Sequence, residues 1–179
     1  METLASNHSI PVSDLKYVYA GAFISFMTET EQRIQELFMG LVMQRIAHPR
    51  LSIRPLVAIR SESVLRKVLI GERSFADWLP YDTTTRKRTK AFLSSGEPFR
   101  SLSGPHRKSL ERASVLRNAI AHQSGSARRR FIETFVEGKA LPVSEQNPAG
   151  YLRGYHAPGQ RRINLIFSEV TQAIGSLCN

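Results

Sequence analysis

The stretch that decides the fold is His106–Gln123, HRKSLERASVLRNAIAHQ. Leu110, Ala113, Leu116 and Ile120 recur at three- and four-residue spacing, which predicts an amphipathic α-helix over about residues 106–123. Pro105 just before it and Ser124-Gly125 just after it supply a start and a stop. The final turns carry an arginine, an amide and a histidine: Arg117, Asn118 and His122. At about 100° per residue, Asn118 and His122 lie about 40° apart on one face, whereas Arg117 and His122 are about 140° apart. One helix is therefore poorly arranged to grip a small ligand with both. Two such helices facing each other can line one pocket.

The same helical period recurs outward in both directions. Residues 1–13 read as a loose arm, after which Ser13 is placed to cap a helix from Asp14 to about His48, closed by Pro49. Its apolar stripe runs through Leu15, Val18, Tyr19, Ala22, Phe23 and Phe26 and resumes at Ile34, Leu37, Phe38, Leu41, Val42 and Arg45. A helix that long would span about 50 Å at ~1.5 Å per residue, so the polar interval Thr28-Glu29-Thr30 marks a place for a bend near residues 27–32. Residues 50–60 are irregular around Pro55, with Ile53 and Leu56 expected to dock on the core. Ser61 predicts a capped helix to Ile70, stopped by Gly71, with Val64, Leu65, Val68 and Leu69 inward. A helix over Asp82 to about Ser94 presents Arg86, Lys87, Arg88 and Lys90 outward.

Beyond the motif helix, Ser126 is placed to cap Ala127 to about Glu137, with Phe131, Ile132, Phe135 and Val136 inward. Arg128, Arg129 and Arg130 then fall in its first turn, where cations oppose the helix dipole unless an anion lies nearby. From 138 to 159 the periodicity is lost, which predicts a long loop of the kind that binds partners or substrate. A last helix follows from about Arg161 to Leu177. The expectation is one all-α domain over 14–179, with a long N-terminal helix, peripheral helices and no sheet.

Composition narrows the function classes. The 179 residues carry 25 Lys and Arg against 15 Asp and Glu, a formal charge of +10, and the excess is mainly arginine. The guanidinium fork suits phosphate, so a polyanionic partner such as RNA is expected; the alternative is a set of singly solvated surface arginines. The lone Cys178 excludes an intrachain disulfide and a cysteine metal cluster. The scattered His8, His48, His106, His122 and His156 lack ligand spacing, so neither metal nor cofactor is expected. No export signal and no apolar run of spanning length is present, which points to the cytoplasm and away from the membrane.

Arg117-Asn118-Ala119-Ile120-Ala121-His122 resembles the arginine, polar residue, spacer, histidine motif of HEPN domains, an all-helical family named for higher eukaryote and prokaryote nucleotide binding. Four residues separate the arginine from the histidine, the short end of the family's range, and the likeness is strongest over Gly96–Gly125. The resemblance implies a HEPN-like helical bundle. It also implies a metal-independent endoribonuclease, a toxin or defence effector, working as a homodimer with its active site across the interface. The partners so implied are RNA and a cognate antitoxin or other defence protein.

The residue types fit that chemistry. Cleavage by the ribose 2′-oxygen needs a proton removed from the nucleophile, charge stabilised on phosphorus and a proton given to the leaving 5′-oxygen. Histidine transfers protons near neutrality. Arginine stabilises phosphate charge, and asparagine orients or donates but cannot act as base. His122 is then the proton-transfer residue, Arg117 the phosphate clamp and Asn118 the orienting partner, leaving a 2′,3′-cyclic phosphate and a 5′-hydroxyl. Supporting RNA or phosphate contacts are expected from Arg86, Lys87, Arg88, Lys90, Arg128, Arg129, Arg130, Arg153 and Tyr155. Two alternatives stay open: a non-catalytic module that binds nucleotides or RNA, or a partner-binding subunit of a defence complex. In both, Asn118 and His122 merely finish a helix and Arg117 pairs with an acid.

Overall fold

The computed structural model describes residues 11–73, 76–122 and 124–179, so most of the expected N-terminal arm and the last residue of the motif stretch lie outside it. The architecture is all-α, with a long N-terminal helix and several shorter ones. Backbone proximity groups the chain into two units. One contains the described part of Met1–Thr28 with Arg112–Glu169; the other contains Glu29–Glu111 with Val170–Asn179.

Helix α1, Val12–Val42, is unbroken over 31 residues. No break interrupts the helix at residues 27–32, where Met27, Thr30 and Ile34 are buried at helical spacing. The polar side chains there are satisfied locally: Thr28 Oγ1 donates to the Ile24 carbonyl at 3.0 Å, and Arg33 pairs with Glu29 at 3.0 Å. The helix stops six residues before the expected His48, where Gln44 takes a φ of +55°. The amides of Arg45 and Ile46 turn back to the Gly40 carbonyl, at 2.9 and 3.3 Å. A Cβ on Gly40 would meet Ile46 Cδ1 at 2.7 Å, so a larger residue there would have to displace that exposed side chain.

Within the Glu29–Glu111 unit the core is built on Phe38 and Trp78, whose ring centroids are 5.1 Å apart, with Phe92 edge-on and Phe99 beyond. Trp78 keeps its polar atoms satisfied: its backbone amide donates to Glu31 Oε2 at 3.0 Å and its indole Nε1 to Gln35 Oε1 at 3.2 Å. Helix α2, Glu62–Ile70, ends at Gly71 as expected, but only Leu65 and Leu69 are buried. Val64 and Val68 are 49% and 56% exposed, because nine residues bury one narrow i, i+4 stripe. Ser61 holds the N-cap position without a capping bond from its side chain. Ile53 is half-buried, whereas Leu56 is exposed and only its amide is used, donating to the Phe92 carbonyl at 2.8 Å.

The expected Asp82–Ser94 helix is a π-helical turn, Tyr81–Thr85, followed by α3, Arg86–Phe92. Leu93 leaves it by pairing with Pro55 in a single β-bridge. Helix α4, Gly104–Ala121, is the motif helix. It buries Leu110, Ala113 and Leu116 as its spacing predicts, with Ile120 half-buried.

Helix α5, Gly125–Phe131, passes into a second π-helical turn, Ile132–Val136. Phe131 and Phe135 are buried and stack at 5.5 Å, while Ile132 is 39% exposed. The long loop expected over 138–159 is largely structured. It holds a short 3-10 turn, Val143–Glu145, helix α6, Pro148–Arg153, and a hairpin of β1, Tyr155–Ala157, and β2, Gln160–Arg161, a small two-stranded sheet where none was expected. Asn147 caps α6 by accepting the Gly150 amide at 2.9 Å, with Pro148 at the first helical position. Pro158-Gly159 makes the hairpin turn, Gly159 at φ +76°. Tyr151 and Leu152 are buried, and Tyr151 packs against Phe135 at 4.8 Å. Helix α7, Arg162–Cys178, closes the chain as predicted. No helix is long and apolar enough to cross a membrane among the described residues.

Candidate active site

The end of α4 and the start of α5 build the site. Leu110, Ala113 and Leu116 hold one side of α4 against the core, so residues at its C-terminal end on other sides reach outward. Arg117 and Asn118 are half-buried and His122 is exposed. His122 follows the last helical residue, yet its amide still donates to the Asn118 carbonyl at 2.9 Å. That bond keeps His122 one turn above Asn118, as the sequence spacing requires.

The return into α5 is capped by Ser124, whose Oγ accepts the Ala127 amide at 3.2 Å and lies 3.2 Å from Ser126 Oγ. The cap is thus Ser124 and not Ser126, and α5 begins two residues earlier than expected. Arg128, Arg129 and Arg130 consequently occupy the last turn of the α-helical segment. Because the helical backbone runs on through Ile132–Val136, the three arginines lie one turn in from its N-terminus and not in its first turn.

Asn118, His122 and Arg130 line one open cavity of about 250 Å³ with Val115, Ser124, Ser126 and Ala127. An imidazole, a carboxamide, two hydroxyls and a guanidinium therefore converge on one space. Arg117 does not line it. Its Nη1 instead donates to Asn118 Oδ1 at 3.2 Å. Arg128 and Arg129 are exposed outside the cavity, and none of the three arginines forms an ion pair among the described residues. Ser124 and Ser126 were legible in the sequence only as helix signals, because nothing in the local pattern says that they line a cavity with His122.

The remaining expected contacts fall elsewhere. Arg86, Lys87 and Lys90 line a different cavity, in the Glu29–Glu111 unit. Arg88 is not among its lining: its guanidinium lies 4.6 Å over the Trp78 ring and its Nη1 donates to the Asp77 carbonyl. Burial among these groups, with Arg73 nearby, lowers the affinity of Arg88 for its proton below the ordinary guanidinium range. Arg153 and Tyr155 line a third cavity of about 440 Å³ with Lys16, Glu145 and Arg161. The Arg161 guanidinium there sits 4.5 Å over Tyr155 and 5.9 Å from Tyr19. Among the described residues no cluster of three or more His, Cys, Asp or Glu is placed to hold a metal ion.

Comparison with known proteins gives no match: no family model, no curated protein and no solved structure is significantly similar to the chain.

Proposed function

We propose that the chain is a metal-independent endoribonuclease of HEPN type, cleaving RNA by 2′-oxygen attack to leave a 2′,3′-cyclic phosphate and a 5′-hydroxyl. The observation that carries this reading is the shared cavity of Asn118, His122 and Arg130, with Arg117 bonded behind Asn118. His122 is exposed and moves the proton. Arg130 and the Nδ2 of Asn118 meet the phosphate oxygens. Arg117 orients the amide within its own chain.

The full reaction needs one base and one acid, and each chain supplies one His122 at this cavity. A second copy of the chain, facing the first across the ends of α4, brings the second imidazole and a second Arg117. The working form in this reading is a homodimer, and its role that of a toxin or defence effector restrained by a partner protein. The net charge of +10 supports a polyanionic substrate.

The deciding experiment is cleavage of total RNA by purified protein in excess EDTA, wild type against His122→Ala at matched folding and oligomeric state. Cleavage by the wild type alone, with cyclic-phosphate ends, supports the proposal. Equal cleavage by both places the activity elsewhere, and full activity in a strict monomer overturns the composite site.

A further inference from the structure

The chain carries a second convergence of positive charge, remote in sequence from the residues just described. Arg86, Lys87, Lys90 and Arg100 line a cavity of about 520 Å³ with Asp82, Ser95 and Gly96. Three of these cations come from α3, and Arg100 comes from the segment that follows the 3-10 turn Ser94–Gly96. A basic helix face made only for solubility would be convex. Here two elements place cations around one hollow.

The turn that achieves this is tight. Ser95 and Gly96 have successive positive φ values of 63° and 72°, and a Cβ on Gly96 would sit 3.4 Å from the Lys90 Cα. The chain after the turn is thereby held against α3, on the side of Lys90.

Asp82, the one acid among the described residues that line the cavity, is already committed. Asp82 Oδ1 accepts from Arg86 Nη1 at 3.0 Å and from Arg107 Nη1 at 3.2 Å. Lys87, Lys90 and Arg100 are exposed and make no ion pair among the described residues. Like charges gathered in a concavity repel unless an anion joins them. The volume falls within the range of about 300–1,000 Å³ typical of small-ligand sites. No aromatic ring lines the cavity among the described residues, which offer charge and hydrogen-bond donors but no platform for a base.

We propose that this cavity is a phosphate-binding site that takes an oligophosphate or phosphodiester group of two or three linked phosphates, read by charge and not by base. Lys90 and Arg100 grip the anion from opposite elements, Lys87 adds a third cation, and Ser95 contributes its hydroxyl. Arg86 serves two roles, holding Asp82 and facing the ligand. The proposal does not rest on the nuclease reading, since none of Arg117, Asn118 and His122 lines this cavity.

The test is calorimetric titration of the full chain with inorganic tripolyphosphate at low salt. The comparison set is the wild type, the double variant Lys90→Gln/Arg100→Gln, and a control with equal charge loss elsewhere, Arg50→Gln/Lys108→Gln. The site predicts at least about tenfold weaker binding in the first variant, near-wild-type binding in the control, and unchanged binding in His122→Ala. Protection of Lys87 and Lys90 from acetylation by tripolyphosphate in the wild type gives a second readout that does not depend on a variant folding. Displacement of the probe by ATP assigns the site to a nucleoside polyphosphate, and displacement by single-stranded RNA assigns it to a strand. Absence of binding, equal weakening in variant and control, or no protection of these lysines overturns the proposal.

Discussion

Arg117 and Asn118, neighbours in sequence, are joined side chain to side chain: Arg117 Nη1 donates to Asn118 Oδ1 at 3.2 Å. Of the two, only Asn118 lines the cavity that holds His122. Adjacent helical residues normally diverge by about 100°, so this bond is what ties the arginine of the motif to the site within one chain. In the proposed reaction Arg117 positions Asn118, which lines the cavity.

Replacing Asn118 should therefore disable the site without unfolding it. Asn118→Ala is expected to lower RNA cleavage about 10²-fold, the usual scale for losing one aimed donor, with little change in Tm because the residue is half-buried and off the core. Asn118→Asp should be at least as damaging, since it turns a carboxylate toward phosphate. Initial cleavage rates set beside thermal melts check both.

Arg130 should matter more than its two neighbours, because it lines the cavity and they do not. Arg130→Ala is expected to weaken RNA binding and reduce the slope of log affinity against log salt by about 0.7, the amount for one lost contact with single-stranded phosphate. Arg128→Ala and Arg129→Ala should each give a smaller effect. Fluorescence titration over a salt series measures this, and equal effects at all three positions would show that only diffuse charge is at work.

Burial and pH can be read at Tyr81, whose ring is fully buried and whose hydroxyl donates to the Phe99 carbonyl at 2.9 Å. Burial, outweighing the nearby Arg86, pushes this phenol far above its ordinary range. A raised folded-state pKa gives stability that is full below the unfolded value, about 10, and lost as pH rises above it. Tyr81→Phe should thus cost about 1–3 kcal/mol at neutral pH, by stranding a buried carbonyl, and should flatten the alkaline limb of the stability curve. Urea titrations across pH 7 to 11 provide the test.

Asp82 gives the opposite slope. Partial burial raises its pKa, but the hydrogen bonds from Arg86 and Arg107 more than offset this and hold the carboxyl below its ordinary value. Its contribution is present above the ordinary carboxylate pKa of about 4 and is lost as pH falls through the lower folded value. Asp82→Asn should remove that acid-side loss. The effect is modest because the side chain is 42% exposed, and thermal melts from pH 6 down to pH 2 would reveal it.

Trp78 is the residue on which the Glu29–Glu111 core most depends. It is 1% exposed, bonded to Glu31 and Gln35, and flanked by Phe38 and Arg88. Trp78→Ala should cost about 3–5 kcal/mol, as a lower urea midpoint with little change in slope. A loss under 1 kcal/mol would mean the ring is not packed as described.

The sequence by itself determined the helices whose apolar period is long. The stripes of α1 and α4 are largely legible from local spacing, because burying one face of a long helix demands that period, although Val18, Ala22 and Arg45 of the stripe expected for α1 are exposed. It also placed Asn118 and His122 on one face, since 3.6 residues per turn is fixed by backbone geometry. Tertiary structure decided the rest. Over 138–159 the signals were present, Asn147-Pro148 for a cap and Pro158-Gly159 for a turn, but elements so short are stable only when Tyr151 and Leu152 find a core. The fates of the arginines were equally hidden. Arg88 lies on Trp78, Arg117 bonds Asn118, Arg130 enters the cavity and Arg100 faces α3 across a turn. A guanidinium on a flexible stem takes whichever partner the fold brings within reach, and that partner is distant in the chain as often as near.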